Sequence, residues 1–167
     1  ALKNFIDTIK NDYIKKIEDK RKNTIFLYTL HNNKSNKYED CNNYSQWLER
    51  PFKSYRTFDN LYFDGKQELI NKIDFFINNK EWYKKEGHPY TLGIGISGPP
   101  GTGKTSVIKS IANKLNRHLI QIPLNKINSE EDFYNYYFES TYNKNNETNS
   151  ITFEEKILVL EDIDCMS

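Results

Sequence analysis

Residues 98–105 of this chain read Gly98-Pro99-Pro100-Gly101-Thr102-Gly103-Lys104-Thr105. They fit the pattern G-x-x-x-x-G-K-S/T at every fixed position, and this pattern is typical of a loop that cradles the phosphates of a nucleoside triphosphate. The backbone of such a loop must approach the phosphates closely and offer several N–H donors, which glycine allows because it lacks a Cβ atom. Lys104 supplies a compact positive charge for the β- and γ-phosphates, and Thr105 supplies a hydroxyl for Mg²⁺. The loop therefore predicts a binding site for a nucleoside triphosphate and its magnesium ion.

The segments on both sides of the loop occur in the order that such a site requires. Residues 92–97 (LGIGIS) are predicted to form a short buried strand, and the two glycines in it indicate tight packing. Downstream, apolar side chains recur with helical spacing at Val107, Ile108, Ile111, Ala112 and Leu115. The positive end of that helix dipole would face the phosphates. The order strand, loop, helix is that of a phosphate-binding loop in an α/β fold with a parallel sheet. We prefer this interpretation of residues 98–105 to a glycine-rich turn that matches the pattern by chance.

The composition argues against several other kinds of protein. The net charge is only +1, from 24 basic and 23 acidic residues, so no nucleic-acid partner is expected. Cys41 and Cys165 have no metal-ligand spacing and do not suggest a disulfide scaffold, which indicates a reducing intracellular compartment. No stretch approaches 18 consecutive apolar residues, so neither a membrane span nor a signal peptide is predicted within the chain. A segment removed before Ala1 remains open.

Residues 1–54 are predicted to form a small α+β segment without a catalytic constellation. Apolar residues with helical spacing predict a helix over about residues 2–20. Residues 24–30 (TIFLYTL) are rich in β-branched and aromatic side chains, which predicts a strand. The polar residues 31–43 are interpreted as a hairpin loop or a flexible surface segment, and an edge segment around Trp47 follows them.

A nucleotide-binding unit is predicted to begin near residue 55 and to continue to residue 167. A helix is expected after Asp64 as its N-cap, closed by Gly87 in the left-handed conformation. Residues 118–124 (HLIQIPL) predict a second strand, in which Pro123 marks an edge position or the end of the strand.

The aromatic residues between 129 and 142 form the next distinctive segment. They predict a helix that packs a tyrosine-rich face on the sheet, and an aromatic grip on a polypeptide or nucleotide is the alternative. An exposed loop is predicted for residues 142–150.

Residues 157–164 (ILVLEDID) supply the second half of the predicted site. Four apolar residues followed by acids are expected of a buried parallel strand that presents carboxylates at its carboxyl end. Mg²⁺ binds through one or two carboxylates, and an attacking water needs an acceptor that orients it. Glu161 and Asp162 can supply these two roles because adjacent strand residues point to opposite sides.

The pair GPPGTGKT and ILVLEDID resembles the AAA ATPases. Residues 56–60, 81–83, 87–90 and 93–96 are similar to the branch that includes the mitochondrial translocase of the Rieske iron–sulfur protein. The order Glu161-Asp162, where most AAA proteins have Asp-Glu, is also a habit of that branch. Residues 1–52 resemble the end of its amino-terminal domain, so the resemblance covers most of the chain.

The resemblance implies a role for each matching residue. It places ATP and Mg²⁺ on the loop from Gly98 to Ser106, with Lys104 at the phosphates and Thr105 and Glu161 on the metal side. Asp162 would polarise the attacking water, although its side chain is one methylene shorter than the usual Glu. Lys104, Glu161 and Asp162 are therefore the predicted catalytic residues, and Asn60 and Leu61 are predicted to border the adenine.

The resemblance also implies a larger assembly. An AAA core has five parallel strands in the order 5-1-4-3-2, and this chain supplies candidates for the first three, so the sheet is expected to be incomplete on its C-terminal side. A fourth strand with a sensor residue and the arginine fingers would follow Ser167, and slow hydrolysis by residues 1–167 alone is expected. The implied partners are further copies in a homo-oligomeric ring and a protein client. No membrane anchor is visible, and a mitochondrial or membrane-attached location follows only if the family habit holds.

Two other functions remain open from the sequence. One is a nucleotide-gated assembly module that hydrolyses little ATP, which the Glu-Asp order favours. The other is a phosphotransferase that shares the phosphate loop, and the paired acids at the strand end argue against it.

Overall fold

The computed structural model describes residues 2–21, 24–31, 46–147, 149–161 and 163. The chain divides into two compact units, one formed by Ala1–Lys53 with Leu115–Ser167 and the other by Ser54–Lys114. The predicted boundary after residue 54 lies next to one junction between these units, but residues 115–167 cluster with the amino-terminal segment. The assignment of residues 1–54 and 55–167 to two family domains stays a prediction.

A four-stranded sheet forms the centre of the first unit. Its strands are β1 (Phe26–Leu30), β2 (Trp47–Pro51), β3 (His118–Pro123) and β4 (Lys156–Glu161), in the spatial order β2-β1-β3-β4. β2 runs antiparallel to β1, whereas β3 is parallel to both β1 and β4. The predicted strands at residues 24–30, 118–124 and 157–160 are confirmed, and β3 ends at Pro123 as expected. The parallel pairing of β3 with β4 agrees with the parallel sheet that was predicted for the α/β fold.

One face of this sheet carries a core that both ends of the chain build together. Along β1, buried and half-buried residues alternate, as the two-residue period of a strand requires. The ring of Tyr142 stacks on Tyr28 at a centroid distance of 4.7 Å, and Trp47 meets Tyr142 edge-on at 4.9 Å. The buried members are Phe26, Tyr28, Leu30, Trp47, Ile120, Ile122, Tyr142 and Ile151. The amino-terminal strand is therefore part of the same core as β3 and β4.

The described residues include five α-helices. They are α1 (Leu2–Arg21), α2 (Lys66–Asn78), α3 (Lys80–Lys85), α4 (Lys104–Leu115) and α5 (Glu130–Phe138). None of the described helices combines the length and the apolarity needed to cross a bilayer.

The predicted amino-terminal helix is confirmed as α1, and its last residue anchors it to the sheet of the first unit. Arg21 donates from its two terminal guanidinium nitrogens to the two carboxylate oxygens of Glu49 on β2, at 2.8 and 2.6 Å. The same guanidinium lies 4.2 Å from the centroid of the Phe26 ring. The apolar stripe of α1 is exposed along Phe5, Ile6, Ile9 and Tyr13.

The tyrosine-rich helix is confirmed as α5, with Ser129 as its N-cap. The Ser129 hydroxyl accepts the backbone N–H of Asp132 at 3.1 Å. Tyr136 packs edge-on against Trp47 at 5.9 Å, as the predicted contact with the sheet requires. Tyr134 and Phe138 are 52% and 60% exposed, so the helix also presents an aromatic face outward.

The prediction of an exposed loop over residues 142–150 is wrong at two positions. Tyr142 is fully buried and Asn146 is 4% exposed. The Asn146 side-chain oxygen accepts the backbone N–H groups of Tyr142 at 3.0 Å and Asn143 at 2.9 Å. The turn thus satisfies the Asn146 oxygen, and the Tyr142 hydroxyl donates to the Glu139 carbonyl at 2.6 Å, whereas Asn146 Nδ2 has no hydrogen-bond partner among the described residues.

The helix predicted between Asp64 and Gly87 is divided into α2 and α3. Gly65, with φ of 79°, occupies the N-cap position of α2, so the assignment of Asp64 as the cap is wrong. Asn79 is the C-cap of α2. Its backbone N–H and its side-chain amide both donate to the Phe75 carbonyl, one turn earlier in the helix. Gly87 follows α3 with φ of 69°, in the left-handed conformation that was predicted.

The buried strand predicted at residues 92–97 is not formed. This segment has no regular secondary structure, and its residues are exposed or half-buried. A strand needs a neighbour that satisfies its backbone groups, and none of the described segments pairs with this one.

Candidate functional site

The phosphate loop enters α4 directly, because the helix begins at Lys104. Gly98 has φ of 149°, and a Cβ there would lie 3.0 Å from the Thr102 hydroxyl oxygen, so the site requires glycine. The Thr102 hydroxyl donates to the Pro99 carbonyl at 2.8 Å and closes the turn. Lys104 Nζ folds over the loop and donates to the carbonyls of Gly98 at 2.6 Å and Pro99 at 2.9 Å.

The start of α4 presents backbone donors at the same place. The N–H groups of Ser106 and Val107 donate to the Gly103 carbonyl, at 2.8 and 3.1 Å. The N–H groups of Lys104 and Thr105 have no backbone acceptor in the described part of the chain. Unpaired donors at a helix N-terminus, together with the positive end of its dipole, bind anions.

A cavity of about 700 Å³ opens beside the loop, entirely within the second unit. Its size falls in the range of small-molecule and cofactor sites. The loop contributes Gly98, Pro99, Thr102, Gly103 and Lys104 to its wall. The rest of the wall comes from residues 92–97, from residues 63–65 and from Glu68, Leu69, Lys72 and Val107.

The charged groups of the cavity wall leave Lys104 available to an anion. Glu68 and Lys72 form an ion pair at 2.7 Å, and the hydrogen bond from Lys72 lowers the pKa of Glu68. Among the described residues Lys104 forms no ion pair, and its ammonium is bonded to neutral carbonyls. A phosphate that approaches the loop can therefore replace these carbonyls as the hydrogen-bond acceptor of the Lys104 ammonium.

The predicted adenine segment lies just outside this cavity. The side chain of Asn60 is used within its own turn, since its oxygen accepts the Thr57 N–H at 3.1 Å and its amide donates to the Tyr55 carbonyl at 2.6 Å. Asn60 and Leu61 do not line the cavity, whereas residues 63–65, which begin two positions after Leu61, do. The adenine role of Asn60 and Leu61 stays a prediction, and Pro100, Gly101, Thr105 and Ser106 of the loop also lie outside the wall of this cavity.

Glu161 occupies the last position of β4 in the first unit, and its partners were not found from the sequence. Gln121 on β3 donates from Nε2 to Glu161 Oε2 at 2.6 Å. The Thr29 hydroxyl on β1 donates to Gln121 Oε1 at 3.2 Å. The signal for Gln121 was its polar side chain among the apolar residues that follow His118 in the strand HLIQIPL. Asp162 lies outside the described residues, so its role stays a prediction.

The described residues contain no cluster of three or more His, Cys, Asp or Glu side chains that could hold a metal ion by itself. Mg²⁺ usually binds through one or two carboxylates together with the substrate phosphates, so it does not require such a cluster. Thr105 is exposed at the start of α4, and Glu161 is half-buried at the end of β4. Each presents a hard oxygen atom of the kind that Mg²⁺ prefers, so the chemistry of each residue by itself suits this ion.

Comparison with known proteins identifies what these features resemble. Residues 94–167 match the model of the AAA family, described as the ATPase family associated with various cellular activities. Three Arabidopsis thaliana proteins are similar over nearly the whole chain. AAA-ATPase At5g17730 is 29% identical over 167 residues, At5g40000 31% over 165 residues and At3g28610 32% over 167 residues, covering 98%, 94% and 95% of this chain.

These matches cover 32% of each relative, so the chain spans about a third of the length of the curated relatives. They support an AAA ATPase and confirm the predicted α/β fold of the phosphate-loop type. The similarity to the Rieske translocase branch stays a prediction.

Proposed function

We propose, from the match of residues 94–167 to the AAA ATPases, that this chain binds ATP with Mg²⁺ and contributes to its hydrolysis. The single observation that carries the proposal is the loop beside the cavity. In the part of the chain that the structure describes, it combines a lysine whose hydrogen bonds go to neutral carbonyls with helix N–H groups that have no backbone acceptor, and both are suited to a polyphosphate.

Each residue would have a distinct part in this reaction. Lys104 would exchange the carbonyls of Gly98 and Pro99 for the β- and γ-phosphates. Thr105 and Glu161 would hold Mg²⁺, whose chemistry is to neutralise charge that develops on the phosphate oxygens. Asp162 would accept a hydrogen bond from the attacking water and orient it. These roles rest on the residue types and on the family resemblance.

We further propose that the protein acts as a homo-oligomeric ring that remodels or translocates a protein client. The support is the resemblance of residues 56–60, 81–83, 87–90 and 93–96 to the translocase-like branch. The balanced charge of the chain favours a protein client over nucleic acid. A reducing intracellular location, mitochondrial or attached to a membrane in line with the family, belongs to the same proposal.

Lys104→Ala tests the proposal directly. The affinity for ATP should fall roughly ten- to a hundredfold, because a hydrogen bond to a charged group contributes about 1.5–3 kcal/mol. Titration with a fluorescent ATP analogue measures the effect. Lys84→Ala is the matched control, since it removes an exposed lysine from the end of α3 and should leave the affinity unchanged. Equal affinities for the wild-type and Lys104→Ala chains would contradict the proposal.

Asp162→Asn separates hydrolysis from a nucleotide-gated assembly module. A motor should lose hydrolysis in the full-length protein while it keeps ATP binding, because only the orientation of the water is affected. A gated module would lose nothing measurable. Phosphate release and ATP titration, measured on the same preparations, distinguish the two.

A further inference from the structure

We infer that Gln121 is a positioning residue for Glu161 and that Thr29 of the amino-terminal strand sets the orientation of Gln121. The inference rests on the proposed role of Glu161 at the magnesium ion. Its evidence is a chain of two hydrogen bonds, from the Thr29 hydroxyl to Gln121 Oε1 at 3.2 Å and from Gln121 Nε2 to Glu161 Oε2 at 2.6 Å. All three side chains are half-buried.

The register of the sheet places these three side chains on one face. Thr29 is the direct partner of Gln121 across β1 and β3. Glu161 is the partner of Pro123, two residues beyond Gln121 on β3. Because side chains two residues apart in a strand point to the same side, the three polar groups cross three adjacent strands in a row. The opposite face of the same strands carries the apolar core.

The chemistry of the amide makes the row directional. A carboxylate accepts hydrogen bonds only, so Gln121 must turn its NH₂ end toward Glu161. Its carbonyl end then needs a donor, and the Thr29 hydroxyl is the group that supplies one. A reversed amide would place two oxygens against each other at Glu161. Thr29 therefore holds Gln121 in the one orientation that binds the carboxylate.

The consequence for Glu161 is a fixed carboxylate with its two oxygens in different roles. Oε2 is occupied by a short hydrogen bond to Gln121. Oε1 has no hydrogen-bond partner among the described residues, so it can bind a cation or one of its waters from a constant direction. Partners of this kind orient metal ligands, and their loss typically weakens metal affinity roughly 10–100-fold.

The parallel pairing of β1 with β3 brings Thr29 next to Gln121 and so makes this row of side chains possible. Thr29 belongs to a segment that carries none of the predicted catalytic residues, yet it is hydrogen-bonded into the row that ends at Glu161. The amino-terminal strand thus contributes to the cation site of the proposed ATPase through a side chain.

Binding of Mn²⁺, used in place of Mg²⁺, tests the inference without a requirement for turnover. The affinity of the ATP-loaded full-length protein for Mn²⁺ is measured from the electron paramagnetic resonance signal of free Mn²⁺, after unbound ATP has been removed because it would chelate the metal. Gln121→Leu should weaken Mn²⁺ binding roughly 10–100-fold. Thr29→Val should weaken it in the same direction, and Thr29→Ser should restore it because serine keeps the hydroxyl. The affinity for ATP in EDTA should be unchanged in all of these variants.

Two further variants make the outcome unambiguous. Gln67→Leu is the matched control, because the Gln67 amide bonds Asn71 on the exposed face of α2 and its loss should not change Mn²⁺ binding. Glu161→Gln is the reference for the metal ligand itself. If Glu161→Gln weakens Mn²⁺ binding and the Gln121 and Thr29 variants do not, the inference is overturned while the proposed function stands. If Glu161→Gln has no effect, the proposed metal role of Glu161 is wrong and the inference falls with it.

Valine retains the β-branched shape that suits a strand, so we expect Thr29→Val to fold. A loss of Mn²⁺ binding in this variant would then reflect the missing hydroxyl and not unfolding. Thermal unfolding of each variant checks that the sheet is intact. A folded Thr29→Val chain with wild-type Mn²⁺ affinity would also overturn the role of Thr29.

Discussion

Lys156 is a lysine enclosed by the first unit, with only 4% of its surface exposed. Its ammonium donates to the Glu139 carbonyl at 2.5 Å and to the Tyr142 hydroxyl at 3.1 Å, and it lies 4.3 Å from the centroid of the Phe153 ring. Burial lowers the pKa of Lys156 to about 8, although the charge of Glu139 acts in the opposite direction. The burial of the charged Lys156 side chain therefore lowers the free energy of unfolding, by an amount that depends on pH.

The lowered pKa of Lys156 predicts that the chain becomes more stable as the pH rises from 8 toward 10. The pKa of Lys156 is about 8 in the folded chain and near its ordinary 10.5 in the unfolded chain. The unfolded state therefore binds more protons in this window, and the free energy of unfolding rises by at most about 1.4 kcal/mol per pH unit. Urea unfolding at pH 7, 8, 9 and 10 measures the slope.

Lys156→Met should flatten that rise, because methionine keeps an unbranched stem without an ionisable group. Lys144→Met is the control, since Lys144 is exposed and should leave the slope as it is. Identical slopes for the wild-type and Lys156→Met chains would show that Lys156 ionises normally in the fold.

At the scale of elements, the contact between α1 and β2 depends on one ion pair. Arg21 and Glu49 are each about one-fifth exposed, and Asn143 also donates to Glu49. Burial raises the pKa of Glu49, but the hydrogen bonds from Arg21 and Asn143 outweigh it and leave this pKa lowered. The pair therefore joins the end of a helix, an edge strand and the turn that precedes β4.

Glu49→Gln should lower the free energy of unfolding at neutral pH by about 1–3 kcal/mol, because it leaves Arg21 without its carboxylate. Since the pKa of Glu49 is lowered on folding, the wild-type advantage exists above pH 4.5 and is lost as the pH falls through the folded pKa. Urea unfolding at pH 7 and pH 3 measures both effects.

Glu68→Gln is the matched control for this prediction. It breaks the Glu68–Lys72 pair on the exposed surface of α2 and should change stability little. A loss of stability in Glu68→Gln equal to that in Glu49→Gln would contradict the special role of the Arg21–Glu49 pair.

At the scale of the whole chain, the first unit is assembled from two segments that are far apart in sequence. β1 pairs with β3 across Leu27–Leu119, Tyr28–Ile120 and Thr29–Gln121. The aromatic core also needs Trp47 from β2 and Tyr142 from beyond α5. The amino-terminal segment is therefore a structural part of the unit that contains β4 and Glu161.

Removal of residues 1–53 should destabilise the remainder and promote aggregation, because it uncovers the edge of β3 and the faces of Ile120 and Ile122. Four buried side chains are lost, at about 1.5–3 kcal/mol each, which is comparable to the total stability of about 5–15 kcal/mol of a domain. Size-exclusion chromatography and thermal unfolding measure the effect. Removal of residues 1–16 is the control, because the described side chains there are exposed. A monodisperse chain of residues 54–167 with an unchanged melting temperature would contradict this prediction.

The predictability of each feature followed the range of the interactions that form it. The loop from Gly98 to Thr105, the helix α4 and the strand β1 could be predicted, since the conformational freedom of glycine, helical periodicity and the enrichment of β-branched and aromatic residues are local properties. The cap of α2 was placed one residue early, at Asp64, because glycine in the left-handed conformation competes with a carboxylate for such turns. Residues 92–97 have the composition of a strand, but a strand also needs a partner that composition does not provide.

The sequence by itself determined the phosphate loop, its lysine and the acidic pair Glu161-Asp162, because residue type and spacing specify their chemistry. Only the tertiary structure decided that β1 lies beside β3, that Tyr142, Asn146 and Lys156 are buried, and that Gln121 and Thr29 lie in line with Glu161. These features depend on which distant segments pair and in which register. Pairing of that kind arises from the burial of a common core, and no local pattern in the chain specifies it.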